Sequence, residues 1–242
     1  MYPDAKVRQL VSDKLGTEFI GTLEDDVIIN TILDLEQFIG QEIHWVTGKT
    51  FDEVIKYKGG YLPNKIARYC TTEMKTMPIL YWMYNVIKEP VIMRFGYRAN
   101  ETNRAKTMLA KTDEEGFTNV KATFTKLKDG RNSWQNVKYC KPEFPLITDN
   151  IYRDNIEKYW SDKSVRFATL NNCVGCWWRN ELLLKKMFEL HPNKMNWFDK
   201  QEQENKGTFR TGITYNNIKQ HKLQTELFET DFNDCDSGYC GL

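Results

Sequence analysis

The sequence predicts an α/β protein, with a parallel sheet flanked by helices and a helical C-terminal part. Three observations carry that prediction. An apolar run, a helix-periodic stretch and a second apolar run follow one another over residues 17–47, the order of a parallel crossover. A later apolar run, "PVIMRFGYRANE", breaks at a glycine in the manner of a strand end. Beyond residue 149 the pattern is dominated by helical periodicity. No internal repeat or low-complexity linker interrupts the chain, so its 242 residues are read as a single domain. Within 1–242 the parts are an N-terminal α/β part (1–100), a polar insertion (101–140) and a C-terminal helical part carrying a cysteine motif (141–242).

Taken in order, "AKVRQLVSDKL" sets Val7, Leu10, Val11 and Leu15 on one helical face, with Gly16 as the stop. The short apolar run "TEFIGT" follows. Thr22 and Asp25 then form a capping pair for a helix whose buried stripe is Ile28, Ile29, Ile32, Leu33, Leu35 and Phe38 and which ends at Gly40. "EIHWVT" reads as a buried strand. After a glycine-rich turn, "IARYCTTEMKTMPILYWMY" reads as a loop entering a helix, and "PVIMR" as a strand. Residues 102–140 are polar, with turn signals at "DEEG" and "KDGRN". Phe144–Ile147 is predicted as a short strand, followed by helices over 149–160, 178–190, 196–205 and 214–220.

Composition bounds the function classes. A chain this long buries enough surface to fold without disulfides or metal. Lys and Arg number 34 against 33 Asp and Glu, for a formal net charge of +1. The total charge therefore gives no argument for a nucleic-acid partner, although local basic patches remain open. Charged residues at 28% and hydrophobic residues at 40% describe a globular chain. The apolar clusters "PILYWMY" and "PVIM" fall far short of the roughly 20 residues of a membrane helix, and "MYPDAKVRQLV" is no signal peptide. The expected setting is a reducing cytoplasm, with no membrane partner. There, six cysteines are thiols, ligands or catalysts before they are disulfides.

The sharpest chemical signal is "NNCVGCWWRN". A two-residue spacer lets Cys173 and Cys176 reach one tetrahedral ion, and soft sulfur ligands favour zinc or an iron–sulfur cluster over magnesium or calcium. Such a pair is half a site. The completing ligands would come from Cys70, Cys140, Cys235, Cys240, His44, His191 or His221, with Cys70 and the tail cysteines preferred. Two other readings stand beside the metal: a redox dithiol activated by a following helix N-terminus, and sulfurs filling an apolar core with Trp177, Trp178 and the leucines after them. A second constellation is "MRFGYRANETNR", where Arg94, Arg98, Arg104 and Glu101 sit at a strand end suited to gripping phosphate or sulfate. The competing reading is a salt-paired loop. A third, Arg68, Cys70 and Lys75 in "ARYCTTEMKTMP", sets two cations near a cysteine and would hold it as thiolate.

In their order, "LPNKIARYCTTEMKTMPI", "VIMRFGYRANETNR", "FPLITDNIYRDNIEKYW" and "NNCVGCWWRNELLLKKMFELHPNKMNWF" resemble segments of the phosphoadenosine phosphosulfate (PAPS) reductase family, in the adenine nucleotide alpha-hydrolase-like superfamily, and especially its phage-type members. The resemblance runs from about "EFIGTLEDD" to the C-terminus. It implies a Rossmann-like sheet of five parallel strands, a PAPS-like or ATP-like nucleotide at the strand ends, and sulfur chemistry. It also implies anion contacts from Arg68, Lys75, Arg98 and Arg104. In cluster-bearing relatives, cysteines of the matching segments hold a [4Fe-4S] cluster, which maps onto Cys70, Cys173 and Cys176; a fourth ligand would come from elsewhere, from Cys235 or Cys240, and zinc is the other expectation. Those relatives carry a double cysteine where this chain has Tyr69 beside Cys70. The ending "YCGL" is similar to the family's nucleophilic C-terminal cysteine motif, which would make Cys240 catalytic, although the histidine that often follows that motif does not follow Leu242.

One departure bears on activity. Family enzymes open with a strand and an S-G-G-x-[DT]-S loop whose N–H groups and hydroxyls surround the phosphates. No such loop is present: "KGGYLP" comes too late and lacks the serines, and "TGKTFDE" follows the wrong strand. The expectation is that the first strand and its anion cradle are missing. Either the chain begins inside a longer protein, or another polypeptide supplies the strand, or this relative no longer performs the reaction. Each lost charge-directed hydrogen bond, worth about 1.5–3 kcal/mol, weakens nucleotide binding. A sheet edge left open would be covered by the N-terminal helix, a second polypeptide or a second copy.

Overall fold

The structure, a computed structural model, describes residues 2–168 and 172–220. It is mixed α/β, with a small, partly parallel sheet flanked by helices. The described residues divide into two compact units, one formed by residues 2–74, 164–168 and 172–220, the other by residues 75–163.

The first unit is helical. Helix α1 (Ala5–Leu15) begins at Asp4, whose carboxylate accepts the N–H groups of Lys6 and Val7, and ends at Gly16 in the left-handed region, φ 64°. That is the conformation a glycine stop supplies without a Cβ penalty. Helix α2 (Val27–Ile39) ends the same way at Gly40. Its start lies later than the Thr22–Asp25 pair predicts: Thr22 Oγ1 accepts from Glu24 N–H and Asp25 Oδ1 from Val27 N–H, so these side chains shape the turn before the helix. Tyr2, Val11 and Ile29 bury a small cluster with Leu33 and Trp45 against it.

Neither of the apolar runs flanking α2 is a strand, which corrects the predicted crossover. Their backbone groups are claimed elsewhere. Ile20 C=O accepts from Tyr2 N–H at 2.7 Å, Leu23 C=O from Val174 N–H at 2.8 Å, and Ile43 N–H donates to the Glu36 carboxylate at 3.2 Å. Glu24 makes one isolated bridge with Cys173.

Helix α3 (Phe51–Tyr57) starts with a reciprocal capping box between Thr50 and Glu53. The one-turn helix α4 (Tyr69–Thr71) leads through a π-helical turn, Thr72–Thr76. From the C-terminal half come α9 (Glu181–Leu190), α10 (Pro192–Asn205) and α11 (Tyr215–Gln220), close to the predicted helices. Their inward faces, including Leu184, Met187, Phe198 and Tyr215, close over Phe51, Leu62 and Trp177 to form the main core of this unit.

The second unit holds the sheet. Helix α5 (Met77–Val86) precedes β1 (Val91–Arg94), then α6 (Thr102–Leu109), the hairpin β2 (Thr118–Lys126) and β3 (Asn132–Glu143), the short α7 (Pro145–Thr148) and α8 (Arg153–Trp160). The order is β1-β3-β2: β1 runs parallel to β3, from Val91 opposite Cys140 to Arg94 opposite Glu143, and β2 pairs antiparallel with β3. Among the described residues this three-stranded sheet is the only one, and β1 is one of its edges. The polar segment 101–140 therefore supplies α6, β2 and most of the central strand. The strand predicted over Phe144–Ile147 is instead α7, because Pro145 has the φ and the missing N–H that suit a first helical position. Leu80, Met83, Ala122 and Cys140 centre the core, and α5 is tied to the hairpin by the Tyr81 hydroxyl on Thr123 C=O (3.1 Å) and the Tyr84 hydroxyl on Lys138 C=O (2.7 Å). Among the described residues no helix is long and apolar enough to cross a membrane.

Candidate functional site

The Cys173–Cys176 motif is a tight turn entering α9. Cys176 N–H donates to Cys173 C=O at 3.0 Å, and Arg179 N–H donates to Cys176 C=O at 3.0 Å. Side chains of Arg179, Arg210 and Tyr215 bind backbone acceptors of the turn and of the residues that follow it. Arg179, almost fully buried, donates Nε and Nη2 to Cys173 C=O, each at 3.3 Å. Arg210 donates Nη1 to Trp177 C=O (2.8 Å) and Arg179 C=O (2.5 Å). The Tyr215 hydroxyl donates to Gly175 C=O at 2.5 Å. Gly175 has no room for a side chain, since a Cβ there would stand 2.4 Å from the Phe198 ring.

Behind the turn, the buried Glu202 carboxylate accepts the N–H groups of Phe209 (3.0 Å) and Tyr215 (2.7 Å). It thereby anchors the 209–215 segment from which Arg210 and Tyr215 reach the cysteine turn. Burial pushes the Glu202 carboxyl above its ordinary range, against the lowering effect of those two N–H donors. The Tyr215 hydroxyl is also raised, chiefly by burial and next by the neighbouring Cys176 and Glu202, against a lowering effect from Arg210.

Cys70, on α4, and Cys173 are half-buried against the same hydrophobic cluster. The two cysteine segments lie alongside each other: Arg68, two residues before Cys70, stacks its guanidinium 5.2 Å from the ring centroid of Trp178, two residues after Cys176. Neighbouring Tyr69 donates its hydroxyl to Tyr61 C=O, and burial raises that hydroxyl's pKa, with a further contribution from Cys70. The donor set suits a thiophilic centre, zinc or iron–sulfur, by chemistry. Among the described residues, however, no group of three or more His, Cys, Asp or Glu side chains is placed to hold a metal ion. Cys235, Cys240 and His221 lie outside the described residues.

Cys140 is a core residue. It is fully buried in the sheet unit, with Thr118 Oγ1 3.1 Å from its carbonyl and 3.4 Å from its sulfur, and burial pushes its thiol up. His191 joins α9 to α10 with Nε2 3.7 Å from Asp25, and His44 is exposed.

The expected anion-binding cations fall in both units: Arg68 in the first, Lys75, Arg98 and Arg104 in the second. Lys75 is exposed on the π-helical turn. Arg98 and Arg104 meet on one buried carboxylate, with Arg98 Nε 3.1 Å and Arg104 Nη1 2.6 Å from Glu101. Burial works to raise the Glu101 pKa, but the Arg98 N–H and the two guanidinium groups outweigh it and hold the carboxyl below its ordinary range. Arg104 also stacks 4.1 Å from the Tyr97 ring centroid. Next to this cluster, at the C-terminal ends of the parallel pair β1 and β3, an open cavity of about 670 Å³ is lined by Arg94, Lys106, Glu143, Phe144 and Asp149 among others. Arg94 pairs with Glu143, its cross-strand neighbour, at 3.3 Å. Strand ends of this kind are where open α/β sheets collect ligands.

Sequence reasoning had no signal for the clamp on the cysteine turn. Arg179, Glu202, Arg210 and Tyr215 belong to no motif, and their roles arise from where α10 and α11 pack. No known protein family, curated protein or solved structure matches the chain.

Proposed function

We propose that the chain is a PAPS reductase-like protein of nucleotide-linked sulfur chemistry, with an adenine nucleotide alpha-hydrolase-like ancestry. Its cysteine centre comprises Cys70, Cys173 and Cys176. The observation that carries this reading is the Arg68–Trp178 stack, which sets the two cysteine segments side by side although about a hundred residues separate them in the sequence. Cys235 is the proposed fourth ligand of a zinc ion or [4Fe-4S] cluster, and Cys240 the proposed nucleophile. When bound, a zinc ion would brace the turn, whereas a cluster would add electron-transfer capacity. The strand-end cavity of the second unit, with Arg94 at its wall, is the proposed place for the anionic part of a PAPS-like or ATP-like nucleotide. A second polypeptide would pair with the β1 edge and supply the phosphate loop that the sequence lacks, or a second copy of the chain would cover that edge.

A second reading is favoured by one observation. Arg98 and Arg104, the guanidinium groups best suited to sulfate or phosphate, are both engaged by Glu101, and a carboxylate already in place competes with an incoming anion. On this reading the chain is a non-catalytic scaffold with a structural cysteine–metal centre. Elemental analysis and an absorption spectrum of protein purified without oxygen test the centre. Iron with a broad visible band identifies a cluster and zinc a structural site, while neither metal returns the cysteines to the core. Calorimetry with PAPS, adenosine phosphosulfate and ATP tests the nucleotide. Heat with one of them supports the enzyme reading, and no heat with any of the three supports the scaffold.

A further inference from the structure

Residues 49–69 carry charge and aromatic surface in an arrangement that the cysteine centre does not explain. Between Lys49 and Glu73 the sequence holds five cations and three carboxylates, and each carboxylate has a structural task. Asp52 accepts from Trp197 Nε1 and Gln201 Nε2, both at 3.1 Å. Glu53 caps α3 through Thr50 N–H at 2.7 Å, and Glu73 pairs with Lys58 at 2.7 Å. The other four cations, Lys49, Lys56, Lys65 and Arg68, have no carboxylate within ion-pair distance among the described residues. Three of them are placed by rings instead. Lys49 Nζ lies 4.4 Å from the Tyr57 ring centroid, and Lys65 Nζ (5.5 Å) and Arg68 (5.2 Å) lie over Trp178. A cation–π contact fixes an ammonium or guanidinium in position without cancelling its charge.

The aromatic partners are themselves accessible: Tyr57 and Tyr61 are 53% and 54% exposed. Beside them, the tip of the 61–68 loop is a built turn. Asn64 Oδ1 accepts the N–H groups of Ile66 (2.9 Å) and Ala67 (3.0 Å), Asn64 N–H donates to Ala67 C=O (3.2 Å), and Asn64 Nδ2 donates to the Tyr61 hydroxyl (2.9 Å). This turn presents Lys65 and the 95% exposed Ile66 and fixes the Tyr61 ring.

We infer that this surface binds single-stranded nucleic acid. Prearranged, unneutralised cations interleaved with exposed tyrosine rings match a phosphodiester chain whose unpaired bases need faces to stack on. A duplex is a poorer fit, because its bases offer no free faces and α3, at seven residues, is too short to run along a groove. The balanced charge of the whole chain hides the patch, since carboxylates elsewhere offset it.

The test is fluorescence anisotropy of the full chain with labelled single-stranded RNA and DNA of about 16 nucleotides, the upper end of the site sizes of single-strand-binding folds, at about 50 and 200 mM salt. The expected result is saturable binding that weakens with salt, with a log–log slope of about −3 for four phosphate contacts. Replacing both rings, Tyr57→Ala with Tyr61→Ala, is expected to weaken binding by about tenfold or more. The exposed pair Lys56→Glu with Lys65→Glu is expected to weaken it further and flatten the salt slope, with unchanged circular dichroism confirming that the variants fold. No binding at the lower salt overturns the proposal. So does heparin binding of equal strength together with indifference to the tyrosines, which would reveal a generic polyanion patch. Binding to phosphatidylserine vesicles without binding to either strand overturns it in favour of a lipid surface.

Discussion

The Tyr215 hydroxyl donates to the Gly175 carbonyl at 2.5 Å, so a side chain from α11 holds the middle of the Cys173–Cys176 turn. Both atoms are buried, and an acceptor stripped of its donor in such a place carries the full cost of its desolvation. Tyr215→Phe keeps the ring and removes the bond, and it is expected to destabilise the protein by about 1–3 kcal/mol. Urea denaturation measures this directly. If the turn holds a metal, the variant should also lose that metal to a chelator faster than the parent protein does.

Gly175 faces the Phe198 ring with no space between them. In Gly175→Ala the new methyl would stand 2.4 Å from a ring carbon, and Phe198 is itself fully buried and stacked on Tyr215. Neither ring can retreat without disturbing the other. Overpacking of this kind costs about 1–3 kcal/mol, to be read as a lowered midpoint in thermal or urea unfolding. An unchanged midpoint would show that the turn swings away from Phe198 freely.

Glu202 should give the protein an unusual pH response. Its carboxyl is raised in the folded state by burial, so the folded chain binds the proton more tightly than the unfolded chain. The contribution to stability is therefore fully present below the unfolded-state value and is lost as pH rises through the folded one. Glu202→Gln removes this dependence. It also presents an amide N–H₂ to one of two backbone donors, Phe209 N–H or Tyr215 N–H, so the variant is expected to be less stable throughout but flatter with pH. Unfolding free energies measured from the acid side to neutrality check both features.

Asp34 behaves oppositely. Arg166 grips it with Nε and Nη2, both at 2.7 Å, and with its backbone N–H at 3.0 Å, and its carboxyl is held at about 2. A depressed carboxyl stabilises above its unfolded value, and that stability is lost as pH falls through the folded one. Arg166 is 60% exposed, so solvent screens the pair and Asp34→Asn should cost only about 0.5–1 kcal/mol at neutral pH. Parent and variant are expected to converge in stability as the solution approaches pH 2.

What was legible in the sequence follows from how local the determinants are. Helices α1 and α2 end at Gly16 and Gly40 because a single residue type supplies a left-handed stop, and α9 to α11 follow from periodicity. The sheet was not legible in the same way. β2 and β3 read as a polar insertion because many of their side chains, such as Lys121, Asn136 and Gln135, face water, leaving a sparse apolar signal from Ala122, Val137 and Tyr139. Conversely, "EIHWVT" has strand composition and no neighbouring strand to pair with among the described residues. The cysteine turn was visible as a motif, but its clamp was not, since Tyr215 and Arg210 act at a range that only packing sets.

The Arg98–Glu101–Arg104 cluster decides whether the strand-end arginines are available to an anion. Glu101 is 8% exposed and accepts from both guanidinium groups along with the Arg98 N–H at 2.9 Å. Glu101→Gln keeps the shape and removes the negative charge, leaving two cations close together with only a neutral acceptor between them. Two consequences have opposite signs. Stability should fall by about 1–3 kcal/mol. This loss should shrink in acid, because a carboxyl held below its ordinary range stops contributing once pH falls through its folded value. Sulfate affinity, read as the rise in unfolding midpoint on adding sulfate in excess of chloride at matched ionic strength, should increase in the variant. If sulfate stabilises parent and variant equally, the two arginines are structural groups and the anion reading of this loop fails.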